Sequence, residues 1–211
     1  MDFRENTPDF KNESPNYTKE IMQWVQAIAI AIVIALLIRG FVFELVLVQG
    51  ESMQNTLQTG QRLFVYKLGY YLHPPKRGDI IVLQYQEGTI NYIPFIDKAP
   101  FLKKIFPASN EVDYIKRVIG VPGDIIDISN GSVYLNGDKL TEPYAKGITM
   151  RQVMEFPVRV PKDKVLVMGD NRQNSSDSRQ IGFIDYSKIK GKAEFRIYPL
   201  NTMGSIYTNM K

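Results

Sequence analysis

The chain contains no cysteine and one histidine, His73, among its 211 residues. The first absence removes a disulfide framework, a thiol nucleophile and a thiolate metal site. The second leaves too few imidazoles for a multi-histidine metal centre, and any Ser-His-Asp triad has to be built on His73 alone. Neither sign of charge dominates. With 26 basic and 22 acidic side chains the net charge is +4 and the pI near 9.1, which is mild for a nucleic-acid binder and compatible with an anionic surface. There is no internal repeat and no low-complexity tract. The length allows one ordinary domain, or one domain with appendages.

What the chain does have is one long apolar run. Residues 1–20 are polar, with three basic and five acidic side chains, and read as a short flexible tail. Ile21 to Ile38 then gives 18 residues without a charge, about 27 Å as a helix and close to the hydrocarbon thickness of a bilayer. Trp24 suits the near interface, Arg39 snorkels at the far end, and Gly40 to Phe43 sit at the far interface. A transmembrane anchor over 21–43 is therefore expected. A cleaved signal peptide would need an unusually long, acidic n-region, and no A-x-A-like site follows the run. A soluble all-apolar helix would find little core to hide in. Lys11 and Lys19 on one side and Arg39 on the other leave both orientations open.

The remainder, 44–211, reads as β. Candidate strands are Leu45–Val48, Arg62–Lys67, Ile80–Tyr85, Tyr114–Ile119, Asp124–Ile128, Ser132–Leu135, Glu155–Val160, Lys164–Met168 and Lys192–Tyr198, all rich in Val, Ile, Tyr and Phe. Asn130-Gly131 and Asn136-Gly137 are turn signals, and the first predicts a hairpin. Many short strands without a long amphipathic helix predict an irregular antiparallel β-sheet or barrel. Residues 85–113, with Pro94, Pro100 and Pro107, predict a long loop or insertion.

Three places carry chemistry. Ser52 lies in Gln49-Gly50-Glu51-Ser52-Met53, just past a strand, where the backbone can bend and present a hydroxyl; most such serines are turn or cap residues. In Tyr114-Ile115-Lys116-Arg117-Val118-Ile119, Lys116 and Arg117 point to opposite faces. A strand this apolar has at least one buried face, so one of the two cations meets an apolar environment. Lysine tolerates this by losing its proton, and a neutral lysine is a general base for a serine hydroxyl. An edge strand with both cations snorkelling stays open at this point. The third place is Gly169 to Arg179, GDNRQNSSDSR. It reads either as a solvated turn or as an internal hydrogen-bond network, with Asp177 and Arg179 spaced for an ion pair and Ser175 placed to donate to an amine.

In order, the motifs GESMQNTL at 50–57, GQRLFVYK at 60–67, RGDIIVL at 77–83, YIKRVIGVPGD at 114–124, GDNRQNSSDSR with Gly182-Phe183, and GKAEFRIYPL at 191–200 resemble those of bacterial type I signal peptidases. These are the membrane-bound Ser-Lys proteases of family S26, and the likeness is to the shorter Gram-positive form. The resemblance implies that Ser52 is the nucleophile and Lys116 the general base, in acyl transfer through an ester acyl-enzyme. It implies that the oxyanion hole uses the Ser52 N–H. A side-chain donor two residues upstream, present in some members, is replaced here by Gly50. It further matches Ser175 to a serine that hydrogen-bonds the lysine and Asp177–Arg179 to a structural ion pair, with Gln173 in place of the usual acid.

The implied function is removal of signal peptides from exported preproteins after an A-x-A-like site, with no cofactor and no metal. The implied substrate lies extended against Leu45 to Gly50 and Asp113 to Ile115, and Val48, Met53 and Ile115 match positions lining its apolar pockets. The partners are secretory preproteins and membrane lipid, not nucleic acid, and the chain is expected to be a monomer. The tail is expected to be cytoplasmic and the β domain extracytoplasmic on a bacterial cell membrane. Phe41, Phe43, Tyr92, Ile93, Phe95, Phe101, Leu102 and Phe106, with Lys103-Lys104, are candidates for lipid contact. Two alternatives remain: a related self-cleaving Ser-Lys protein, and a non-catalytic anchored β domain that binds exported chains.

Overall fold

The computed structural model describes residues 17–88, 102, 105–106 and 110–207. The tail as far as residue 16, and Tyr92, Ile93, Phe95, Phe101, Lys103 and Lys104, lie outside the described residues. The chain divides into two compact units, Met1–Leu36 and Leu37–Lys211.

An uninterrupted helix runs from Tyr17 to Phe41 and is long and apolar enough to cross a membrane. Its 25 residues span about 37 Å. Isoleucine, alanine and leucine occur all round it, and its large side chains, Trp24 and Ile28 among them, are exposed. That is the pattern of a helix whose solvent is lipid. Phe43, expected within the anchor, instead opens the first strand.

The second unit is mostly β. Its strands are β1 (Phe43–Leu47), β2 (Arg62–Tyr66), β3 (Ile80–Gln86), β4 (Val112–Gly120), β5 (Ile125–Ser129), β6 (Ser132–Leu135), β7 (Asp138–Lys139), β8 (Val158–Arg159), β9 (Lys164–Met168), β10 (Ile184–Asp185), β11 (Ile189–Tyr198) and β12 (Gly204–Ser205). One sheet runs β1-β2-β11-β3-β4-β9-β10 with β12 on β11, and a four-stranded sheet runs β7-β6-β5-β8. The pairings between these strands are antiparallel. Among the described residues no pairing joins the β1 and β10 ends, so the sheet is not closed into a barrel.

Residue pattern explains most of this. Ile80 to Leu83 are four successive buried positions in the middle of the large sheet. Ile80 and Val82 pack on one side with Val48, Met53, Leu57, Leu63, Val65 and Ala193. Ile81 and Leu83 pack on the other with Val118, Val165 and Val167. A strand covered on both faces loses its polar alternation, as IIVL does. Asn130-Gly131 joins β5 to β6 with both residues at positive φ, 49° and 73°, the conformation of a two-residue type I′ turn. Asn136-Gly137, at 52° and 98°, does the same between β6 and β7. The expected strand over Glu155–Val160 shrinks to Val158–Arg159, because Pro157 has no N–H to give a ladder.

Candidate active site

After β1 the chain still pairs with the segment entering β2, through Val48 N–H to Gln61 O and Gly60 N–H to Val48 O. Gly50, at φ +85°, then makes a bend that a side chain would strain. The bend hands the chain to a single turn in which the Thr56 and Leu57 N–H groups bond Met53 O. Met53 and Leu57 are buried and pin that turn to the core. Ser52 sits at its start. Its carbonyl accepts the Asn171 N–H at 3.0 Å, and a Cβ on Gly169 would fall 2.5 Å from the same oxygen. Only glycine lets residues 169–171 lie this close to the Ser52 backbone.

Lys116 reaches Ser52 from β4. Its Nζ lies 2.8 Å from Ser52 Oγ and 3.2 Å from Ile115 O, and 4.8 Å from the Tyr114 ring centroid. In strand order β1 and β4 are four steps apart, which in a flat sheet is about 19 Å. The Ser52–Lys116 contact therefore requires the sheet to curl. The side chain is 3% exposed, and among the described residues no carboxylate forms an ion pair with it. Burial, with Arg179 adding to it against the pull of Asp177 and Asp170, lowers its pKa to about 8.

Arg117 is also buried, at 0%, but it is fully paired. Its Nε and Nη2 donate to the two oxygens of Asp170 at 2.8 and 2.6 Å, and Nη1 donates to Gly78 O at 3.0 Å. Thr56 Oγ1 donates to the same carboxylate, and the guanidinium lies 3.9 Å from the Tyr144 ring centroid. The choice between one buried cation and two snorkelling ones thus resolves as neither. β4 lies inside the sheet between β3 and β9, so both cations are enclosed.

The 169–179 segment is not a solvated turn. Asp170, Asp177, Ser178 and Arg179 are all 0% exposed. Arg179 donates to Asp177 through Nε at 2.9 Å and Nη2 at 2.8 Å, and the Gly169 N–H bonds the same carboxylate. Burial opposes the Asp177 charge, but the guanidinium and the Gly169 N–H outweigh it and hold the carboxyl below the usual range. A third pair, Arg172 with Glu142 at 2.6 and 2.8 Å, is joined by Thr149. Ser175 departs from expectation. Its Oγ is buried on the Asp177 side and makes no hydrogen bond to Lys116.

The structure thus brings Ser52 and Lys116 together, with Asp177 and Arg179 behind them. Asp170, Thr56, Tyr144 and Glu142 were not singled out from the sequence. Asp170 carries a signal, lying inside the GDNR motif, whereas Glu142 sits in a featureless polar stretch. Among the described residues no group of three acidic or histidine side chains is placed to hold a metal ion.

Residues 21–198 match the family model described as signal peptidase, peptidase S26. A signal peptidase I of Bacillus licheniformis is 40% identical over 200 residues, which are 90% of this chain and 96% of that protein. Signal peptidase I S of Bacillus subtilis (strain 168) is 37% identical over 203 residues, 92% and 97% of the two chains. A signal peptidase I of Leptolyngbya laminosa is 38% identical over 192 residues, 91% and 87%.

Proposed function

The chain belongs to the signal peptidase S26 family, and on that premise we propose that Ser52 is its nucleophile and Lys116 its general base. It is a membrane-anchored serine endopeptidase that processes signal peptides. The observation that carries the assignment of the two residues is the 2.8 Å separation of Lys116 Nζ and Ser52 Oγ around a buried amine without an ion-pair partner.

The chemistry follows from that pair. Neutral Lys116 takes the Ser52 Oγ proton as Oγ attacks the scissile carbonyl carbon. The tetrahedral intermediate collapses, the C–N bond breaks, and the new amine leaves with the proton from Lys116 Nζ. Lys116 then takes a proton from water, whose oxygen attacks the ester carbonyl, and returns that proton to Ser52 Oγ as the C–O bond to serine breaks. The Ser52 N–H forms no hydrogen bond among the described residues and is free to donate to the oxyanion. Gly50 offers no side-chain donor beside it, so any second donor is backbone or water.

The substrate lies extended along β1 and the first half of β4. Among the described residues β1 pairs only with β2, and β4 pairs with β9 only from Arg117 onward, so both edges facing this space are open to a peptide backbone. Val48, Met53 and Ile115, with Val46, form its apolar floor. This is a surface for the small side chains of an A-x-A-like site. The space between β1 and the first half of β4 is the cleft. The anchor crosses a bacterial cell membrane once, with the N-terminus cytoplasmic and the β unit extracytoplasmic, and the enzyme acts as a monomer on secretory preproteins at the lipid surface.

The test is co-expression of the full chain, or of Ser52→Ala or Lys116→Ala, with a precursor carrying an A-x-A site. Wild type releases the mature protein and neither variant does; equal processing by all three removes the assignment. Protease added outside intact cells digests the β unit if the orientation is right and spares it if the orientation is reversed.

A further inference from the structure

The inner face of the curled sheet is layered along its strands. Val46 and Val48 of β1, Val82 of β3 and Ile115 of β4 belong to one apolar cluster. Two residues farther from Ser52, the same face carries Glu44, Gln84 and Asp113, with Gln84 opposite Asp113 just as Val82 is opposite Ile115. Lys67, on the same face as Leu63 and Val65, bonds Glu44 at 2.8 Å. Lys190 bonds Asp113 at 2.7 Å and Glu111 at 2.8 Å, and Gln84 reaches Glu111. The layer therefore holds three carboxylates, Glu44, Glu111 and Asp113, against two ammonium groups.

One acceptor in this layer is unused. Asp113 Oδ1 is buried and has no hydrogen-bond partner, a state that costs stability unless something fills it. Burial raises the Asp113 carboxyl above its ordinary range, with Lys190 opposing and the Glu111 and Glu44 charges reinforcing.

A peptide extended along the open edges of β1 and β4 turns alternate side chains to this inner face. If residues one and three before the cut occupy the apolar layer, as the peptidase reading has it, residue five meets the polar one. Resting on that reading, we propose that Asp113, Glu44 and Lys190 form a subsite for the side chain five residues before the cut. It takes an uncharged hydrogen-bond donor (Ser, Thr, Asn or Gln) at the partly exposed Asp113 and Glu44 carboxylates and rejects acidic side chains. An acid brings a fourth negative charge to the layer, and leucine desolvates these charges without pairing them.

The experiment uses the full-length chain and three A-x-A precursors differing only in residue five: Ser, Asp or Leu. The expected kcat/KM for the Ser precursor is about tenfold above those for the other two. In Asp113→Asn the Ser-to-Asp ratio falls to about threefold or less, since the subsite loses one of its three carboxylates. The ratio is taken within one enzyme, so reduced folding of the variant cancels, and Glu44→Gln gives a second variant with the same expected direction. Equal rates on the three precursors in the wild type, or an unchanged ratio in both variants, overturns the subsite while cleavage after A-x-A still stands. Absence of any cut overturns the subsite together with the peptidase reading, and is told apart by the missing product.

Discussion

Lys116 and Arg117 are neighbours on one strand and both are buried, yet the regions they enter treat charge in opposite ways. On the Arg117 side, Asp170 accepts two hydrogen bonds from the guanidinium and Gly78 O a third. On the Lys116 side the amine has a hydroxyl and a carbonyl and no ion-pair partner among the described residues. A buried paired arginine stays charged, and a buried unpaired lysine is pushed toward neutrality. Around the Ser52–Lys116 pair, the charges that hold shape are matched with each other, and the one proposed to react is left unmatched.

The sharpest way to break this comparison is to make both side chains apolar. Lys116→Met should lower kcat/KM by at least about a thousandfold, because it removes the proposed base, which would act only with its partner. It should leave stability unchanged or raised, since it removes a desolvated amine. Arg117→Met should do the reverse to the fold. It strands the Asp170 carboxylate and should cost about 3–5 kcal/mol in denaturant unfolding. Equal losses of stability in the two variants would erase the distinction.

Two pH measurements sharpen it further. With neutral Lys116 as the proposed base, kcat/KM should rise with pH to a plateau above about 8 and fall about tenfold per unit below it. Stability carries the same signature. The folded-state pKa near 8 lies below the 10.5 of an ordinary lysine, so between these values the unfolded chain binds the proton and the folded one does not. The destabilising contribution is fully present below pH 8 and vanishes as pH rises through 10.5, about 3 kcal/mol in all. Wild type should gain stability relative to Lys116→Met across that window. The smallest effect expected is that of Ser175→Ala. Its Oγ makes no well-formed hydrogen bond and only a weak contact with the Asp177 carboxylate, so the change in stability should stay within about 1 kcal/mol; a loss of about 2 kcal/mol or more would mean that the hydroxyl is a full partner of Asp177.

Much of this was legible in the residues. IIVL and KVLVM are buried strands because both their faces are covered, and the Asn-Gly pairs make the turns their φ preference demands. Strand alternation placed Lys116 and Arg117 on opposite faces. It did not reveal that both faces are enclosed, because Asp170, which neutralises Arg117, is 53 residues away. Nor did it reveal the curl, since no local pattern reports that a residue past β1 meets β4. Ser175 was placed near the dyad by its motif alone, and hydroxyl direction is set by packing that spacing does not encode.

The clamp on Ser52 has one more consequence. The Ser52 backbone is gripped by the Asn171 N–H and by Gly169, which ribosomes add more than a hundred residues later. A nascent copy that already displays both the serine and the lysine still lacks the brace that aims one at the other. On the proposed mechanism, a chain truncated before Gly169 should therefore cleave no A-x-A precursor even though it carries both side chains.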